Sequence, residues 1–147
     1  MLDAMKSKRN LIIAHYKDGK LLKDYTHDFT PAREIFHLTS ELEDDKGTIY
    51  EVKIADLKAV FFVKTLEGSL DYTEKKKFEE VNTSDHRGLK IKVLFNDGET
   101  LRGVSLGYSK VRTGFFIIPV DPDSNNERIW VVADAVRDIS VGSAAEK

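Results

Sequence analysis

The sequence predicts an all-β protein built from two tandem five-stranded units. Three observations carry that expectation. Short apolar stretches alternate with polar residues at period two, most cleanly Leu89, Ile91, Val93 and Phe95 against Lys90 and Lys92. Two Asp-Gly phrases, Tyr16-Lys17-Asp18-Gly19 and Phe95-Asn96-Asp97-Gly98, each stand between two such stretches, and Asp-Gly accepts the positive φ of a tight hairpin. The phrases lie 79 residues apart, and that one offset also aligns Ile12 with Ile91, Leu22 with Leu101, Arg33 with Arg112, Phe36 with Phe115 and Val52 with Val131.

In chain order, residues 1–9 read as an arm or a helical turn, and Asn10 to Tyr16 suits a first strand. After the Asp18-Gly19 reversal, Leu22, Tyr25 and Phe29 populate a second strand. Thr30-Pro31-Ala32-Arg33 breaks it, because proline cannot donate to a sheet ladder. Ile35 to Leu38 resumes as a third strand, and Glu41 to Gly47 is an acidic loop. Tyr50, Val52 and Ile54 alternate with polar neighbours as a fourth strand. Asp56-Leu57-Lys58 suits a 3₁₀-like turn, and Ala59 to Val63 closes the unit, which therefore spans residues 1–63.

Residues 64–86 lose the β alternation and form a linker, in which Thr73 is placed to cap a short helix running to Glu80. Lys75-Lys76-Lys77 between Glu74, Glu79 and Glu80 is a solvated face of that helix. The second unit, residues 87–147, repeats the plan. It has a hairpin around Asp97-Gly98 and an interruption at Lys110 to Gly114. A buried strand from Phe115 to Ile118 precedes a loop from Asp121 to Glu127. Ile129 to Val132 is its fourth strand, Asp134-Ala135-Val136 the turn, Ile139 to Val141 the last strand, and a small polar tail follows.

Hairpin, bent second strand, third strand, loop, fourth strand, 3₁₀ turn and fifth strand describe a small SH3-like barrel, which protects its edges by closure. Val93 to Gly103 resembles the strand–Asp-Gly–strand–Gly segment of the Sm-like (LSm and Hfq) family, with Gly107-Tyr108-Ser109 where that family often carries Phe-Asp. The likeness covers about 30 residues of each unit and implies two SH3/Sm-like barrels. It also implies RNA as a candidate partner, and rings built from strand edges, so that three tandem chains would mimic a hexamer. Val132-Ala133-Asp134-Ala135-Val136 stands where the family keeps its RNA-reading Arg-Gly motif. A second likeness is longer. Thr26-His27-Asp28-Phe29-Thr30-Pro31, Phe36-His37-Leu38 and Asp56 to Val63 are similar to an uncharacterised group of bacterial proteins found beside signalling domains such as PilZ. The PilZ signature itself does not occur in this sequence.

Composition sets the outer limits. With 41% hydrophobic and 33% charged residues in 147, the chain can bury a core, and its net charge of −2 supplies no global basic field for nucleic acid. No cysteine means no disulfide, thiol nucleophile or cysteine-based zinc site. The apolar run Leu11-Ile12-Ile13-Ala14 is too short for a signal core or a membrane span, which leads to the expectation of a cytoplasmic protein without a membrane partner.

No Gly-x-Ser-x-Gly, His-Glu-x-x-His, P-loop or dinucleotide fingerprint is present, so the chain reads as non-enzymatic and free of cofactors, with an unfamiliar active site as a rival. His15, His27, His37 and His86 supply no ligand set with metal spacing and read as ordinary surface or edge residues. Asp121-x-Asp123-x-Asn125-x-Glu127 offers oxygens to a hard cation but lacks the glycine and glutamate of an EF-hand, and reads first as a turn.

The candidate ligand-binding residues are Arg33, Arg102, Tyr108, Lys110 and Arg112, since arginines beside aromatics stack on and pair with phosphates or acidic peptides. Residues 87–142 nonetheless hold eight basic against seven acidic side chains. Adjacent Phe61-Phe62 and Phe115-Phe116 must face opposite sides of their strands, so one of each pair requires cover from the other unit, the linker or another subunit. The sequence therefore predicts a binding or adaptor module that engages a protein partner or its own copies through aromatic faces, with RNA binding as the rival.

Overall fold

The computed structural model describes residues 10–40, 43–65, 72–80, 88–105, 107–109 and 113–147. The strands of the first half are β1 (Asn10–Tyr16), β2 (Leu21–Thr26), β3 (Ile35–Thr39), β4 (Ile49–Lys53) and β5 (Leu57–Val63). Those of the second are β6 (Leu89–Phe95), β7 (Thr100–Ser105), β8 (Gly114–Pro119), β9 (Asn126–Val132) and β10 (Val136–Val141). The 79-residue offset carries β1 onto β6, β2 onto β7, and the 3₁₀ turn Ile54–Asp56 onto Ala133–Ala135 without a shift at either end. Both turns begin two residues or one residue earlier than expected, because Leu57 and Val136 already belong to the closing strands.

Each hairpin is held in the same way. Gly19 and Gly98 take φ of 93° and 95°, where a side chain would be strained. One residue earlier, the Asp18 and Asp97 carboxylates each accept the N–H two residues on, at 2.9 Å.

All ten strands form one antiparallel sheet in the order β10-β6-β7-β8-β9-β5-β1-β2-β3-β4. Each half runs fifth, first, second, third, fourth, and the halves meet where β5 pairs β9 (Ala59↔Val131, Val60↔Trp130, Phe61↔Ile129). The reason lies in β5 itself. Apart from Lys58 it is wholly apolar, and a strand apolar on both faces needs a core on both. Ala59, Phe61 and Val63 enter the core of the second half, while Val60 and Phe62 enter that of the first. β9 reciprocates, sending Ile129 and Val131 one way and Trp130 and Val132 the other. Phe115 is buried in the second core, and Phe116 packs half-buried against the first. Of the covers the sequence allowed for these aromatics, the other unit, the linker or another subunit, the other half of the chain supplies it.

Lys58, the exception on β5, is 8% exposed and reaches into the second half. Its Nζ lies 2.7 Å from Asp97 Oδ2, also pairs with Glu99, and sits 4.7 Å above the Phe95 ring. Burial pulls its pKa down, but the two carboxylates outweigh burial and hold it above the ordinary lysine range.

The linker differs from expectation. In place of a helix from Thr73, residues 72–77 run without regular structure into a 3₁₀ turn at Phe78–Glu80. A helix there would have offered the core little besides Phe78. The irregular path instead lets Asp121, 1% exposed, accept the Tyr72 hydroxyl and the Lys75 N–H (2.8 Å), while Phe78 enters a cluster with Val104, Val120 and Ala145. Asp121 also accepts the Asp123 N–H at 2.9 Å, so its carboxylate ties the loop to itself and to the linker. Burial would raise the Asp121 pKa, yet the three donors outweigh it and keep the carboxyl below its usual range. Its acceptor bond drives Tyr72 up to about 12.

Candidate functional site

The sheet opens at two equivalent places. β2 meets β3 at Tyr25↔Thr39, and β7 meets β8 at Gly103↔Pro119 and Val104↔Ile118. Side chains take over where the ladder stops. Asp28 accepts the His37 N–H at 2.9 Å, and at the corresponding place Ser105 donates to the Phe116 carbonyl at 2.9 Å. The segment after β2 is therefore free to arch over the joint between the halves, and the Thr30–Arg33 turn, closed by a 3.1 Å bond, sits at its crest.

Beneath this arch lies Trp130. It meets Phe116 edge-on at 4.9 Å and Phe29 at 6.1 Å, and Phe29 in turn touches Phe36 and Phe62 at 5.1 and 5.5 Å. The Arg128 guanidinium lies over Phe62 at 4.2 Å and Phe116 at 5.4 Å. Gly114 is obligatory here, because a Cβ would stand 2.4 Å from Trp130 Cζ2 and 2.7 Å from the Val131 carbonyl.

A cleft of about 720 Å³ opens beside the indole, lined by Pro31, Arg33, Lys53, Thr113, Trp130 and Asp134. A second recess of about 490 Å³, mostly apolar, lies across Pro31 and Trp130 and ends at Ile118 and Arg128. The floor is aromatic and apolar, while the rim carries both signs of charge. Arg33 is tethered to Asp28 at 3.4 Å and stays half exposed. Asp28 also lies 2.7 Å from His37 Nδ1. Burial would raise the Asp28 pKa, but His37 and the Thr26 hydroxyl hold it below the usual carboxylate range.

The structure separates the residues that the sequence grouped. Arg33 lines the main cleft. Arg102 points elsewhere, its guanidinium 3.2 Å from the backbone oxygen of Lys147, which Lys92 also contacts at 3.3 Å. Tyr108 packs edge-on against Phe115 at 5.0 Å in a different recess, beside β10. Lys110 and Arg112 lie outside the described residues. Sequence reasoning missed Trp130, Lys53, Arg128 and Asp134. The available signal was Ile129-Trp130-Val131-Val132, four apolar residues in a row, which marks a strand covered on both faces.

Among the described residues, no cluster of three or more His, Asp or Glu is arranged to hold a metal ion. No helix there is long and apolar enough to cross a membrane.

Residues 8–143 match a family of unknown function, DUF6982. The chain belongs to that family. The DUF6982 match runs from just before β1 to just after β10, so the family is defined by the whole paired sheet and not by one half of it. No curated protein and no solved structure matches the chain.

Proposed function

We propose that this DUF6982 protein is a non-enzymatic binding module whose cleft at the joint holds an extended segment of a partner protein. The observation that carries the reading is the aromatic floor at Trp130 inside a rim of mixed charge. Extended and proline-rich segments dock in grooves floored by an aromatic ring, where apolar anchors settle against the floor and charged rims set orientation. Glu34 and Asp134 stand on the same rim as Arg33 and Lys53, an arrangement that suits a peptide of both charges and offers no net positive field to a phosphate backbone. The fifth-first-second-third-fourth strand order of each half supports reading the halves as SH3/Sm-like barrels fused edge to edge, whose tight shared joint then becomes the binding surface. The absence of any recognisable nucleophile–base set in the sequence supports a binding role over catalysis.

Trp130 is the single tryptophan of the chain, so its fluorescence reports on the cleft directly. Peptides selected by display against the intact protein should shift that emission, and Arg33→Glu or Lys53→Glu should weaken them at least tenfold. Selected peptides indifferent to both substitutions would overturn the assignment. So would tight, salt-dependent binding of RNA oligonucleotides in the same cleft.

A further inference from the structure

The chain lays one of its own segments across a row of basic side chains on the second half. Lys90 and Lys92 alternate along β6, and Arg102 of β7 stands opposite Lys92 in the ladder. After β10, Gly142 takes a φ of 66° and begins a 3₁₀ turn, Gly142–Glu146. Glu146 pairs with Lys90 at 3.1 Å, and the Lys147 backbone oxygen accepts Arg102 at 3.2 Å and Lys92 at 3.3 Å. Of residues 142–147 only Ala145 is buried, its methyl seated in the cluster of Phe78, Val104 and Val120.

This cover is slight and incomplete. It consists of one methyl group, one partly exposed ion pair and bonds to a single oxygen, and ion pairs so exposed hold weakly. Arg102 Nε is buried, yet among the described residues it finds no hydrogen-bond partner. A buried donor left unpaired is a cost that a better acceptor removes.

From these observations we infer that the face binds an acidic segment of a partner protein, with residues 142–147 as its resident competitor. The resident displays the chemistry the face selects. A small apolar side chain fills the socket, the next residue sets a carboxylate on Lys90, and the oxygen after it is shared by Lys92 and Arg102. A partner carboxylate in place of that last oxygen gives the guanidinium a charged, two-pronged acceptor and employs Nε. A phosphate backbone could serve the cations but offers nothing apolar to the socket, which favours protein over nucleic acid. The tethered competitor works at high effective concentration, so the face opens to a partner carrying several acidic groups. Neither Arg33 nor Lys53 of the cleft takes part.

Fluorescence anisotropy on the full chain, with a labelled peptide of six Ala-Ala-Glu repeats, tests this. Ala145→Gln, too large and too polar for the socket, should expel the segment and raise affinity about tenfold over wild type. Glu146→Gln, at an exposed position, should raise it about threefold and leave the melting temperature unchanged. Adding Arg102→Glu to either variant should abolish the gain, whereas adding Arg33→Glu should not. The inference fails if neither variant gains affinity, or if the gain survives Arg102→Glu. It fails equally if a poly-uridine RNA of similar length binds the opened face as tightly at the same salt, which would mark a general polyanion surface.

Discussion

His15 shows how a single residue senses the joint. Its ring stacks on Phe61 at 4.0 Å and 28°, half-buried on β1. Burial lowers its pKa from 6.5 to about 4, with Glu99 opposing the change and Lys58 and Lys23 assisting it. The folded protein therefore keeps His15 neutral, whereas the unfolded chain takes up a proton near 6.5. The stabilisation is complete above pH 6.5 and is lost as the pH falls towards 4. Its slope is at most about 1.4 kcal/mol per pH unit, less to the extent that water screens the ring. Urea melts at pH 7 and pH 5 should show this loss, and His15→Phe, which keeps the stack without the proton, should abolish it. An unchanged pH slope in the variant would refute the assignment. The position of His15 on a strand was legible from its β-branched and apolar neighbours. Its burial was not, since the covering Phe61 comes from a strand more than forty residues on.

At the scale of elements, period-two alternation and the Asp-Gly turns were enough to place the strands, because both signals are local. The linker was not legible. Thr73 and the charged run carry a fair helix signal, but a lone apolar residue cannot make a helix face worth burying. The competing partner was Asp121, a buried carboxylate that needs donors and finds them on the linker. Asp121→Ala would remove the shared acceptor, Oδ2, of the Tyr72 hydroxyl and the Lys75 N–H together, at a cost of about 1–3 kcal/mol. Limited proteolysis of that variant should cut within residues 72–80 well before the wild type is cut anywhere, and equal resistance of the two would exclude the tie.

The whole molecule is held by two cores that share their strands. β5 and β9 each contribute to both, so neither half owns a complete interior. A fragment of residues 10–65 would expose the Phe61 face of β5 and lose Trp130 and Val132 from its own core. Leaving a buried Trp or Phe site unfilled costs about 3–5 kcal/mol, a large share of the stability of so small a unit. The fragment should lack a cooperative melt by circular dichroism, while calorimetry of the full chain should give one transition. Independent melting of two halves would contradict the shared-core architecture.

The sequence by itself determined the strand class, the hairpins and the 79-residue duplication, because alternation and turn chemistry are read within a few residues of one another. It also determined that Phe61-Phe62 and Phe115-Phe116 required cover on both faces, since a strand presents neighbours to opposite sides. What supplied that cover was decided by tertiary structure alone. Pairing β5 with β9 satisfies two ladders and two cores at once, and that gain depends on edges brought together across more than sixty residues. The cleft exists because of that pairing. Its floor comes from β9 and its arch from the segment before β3, and no local pattern in either segment names the other.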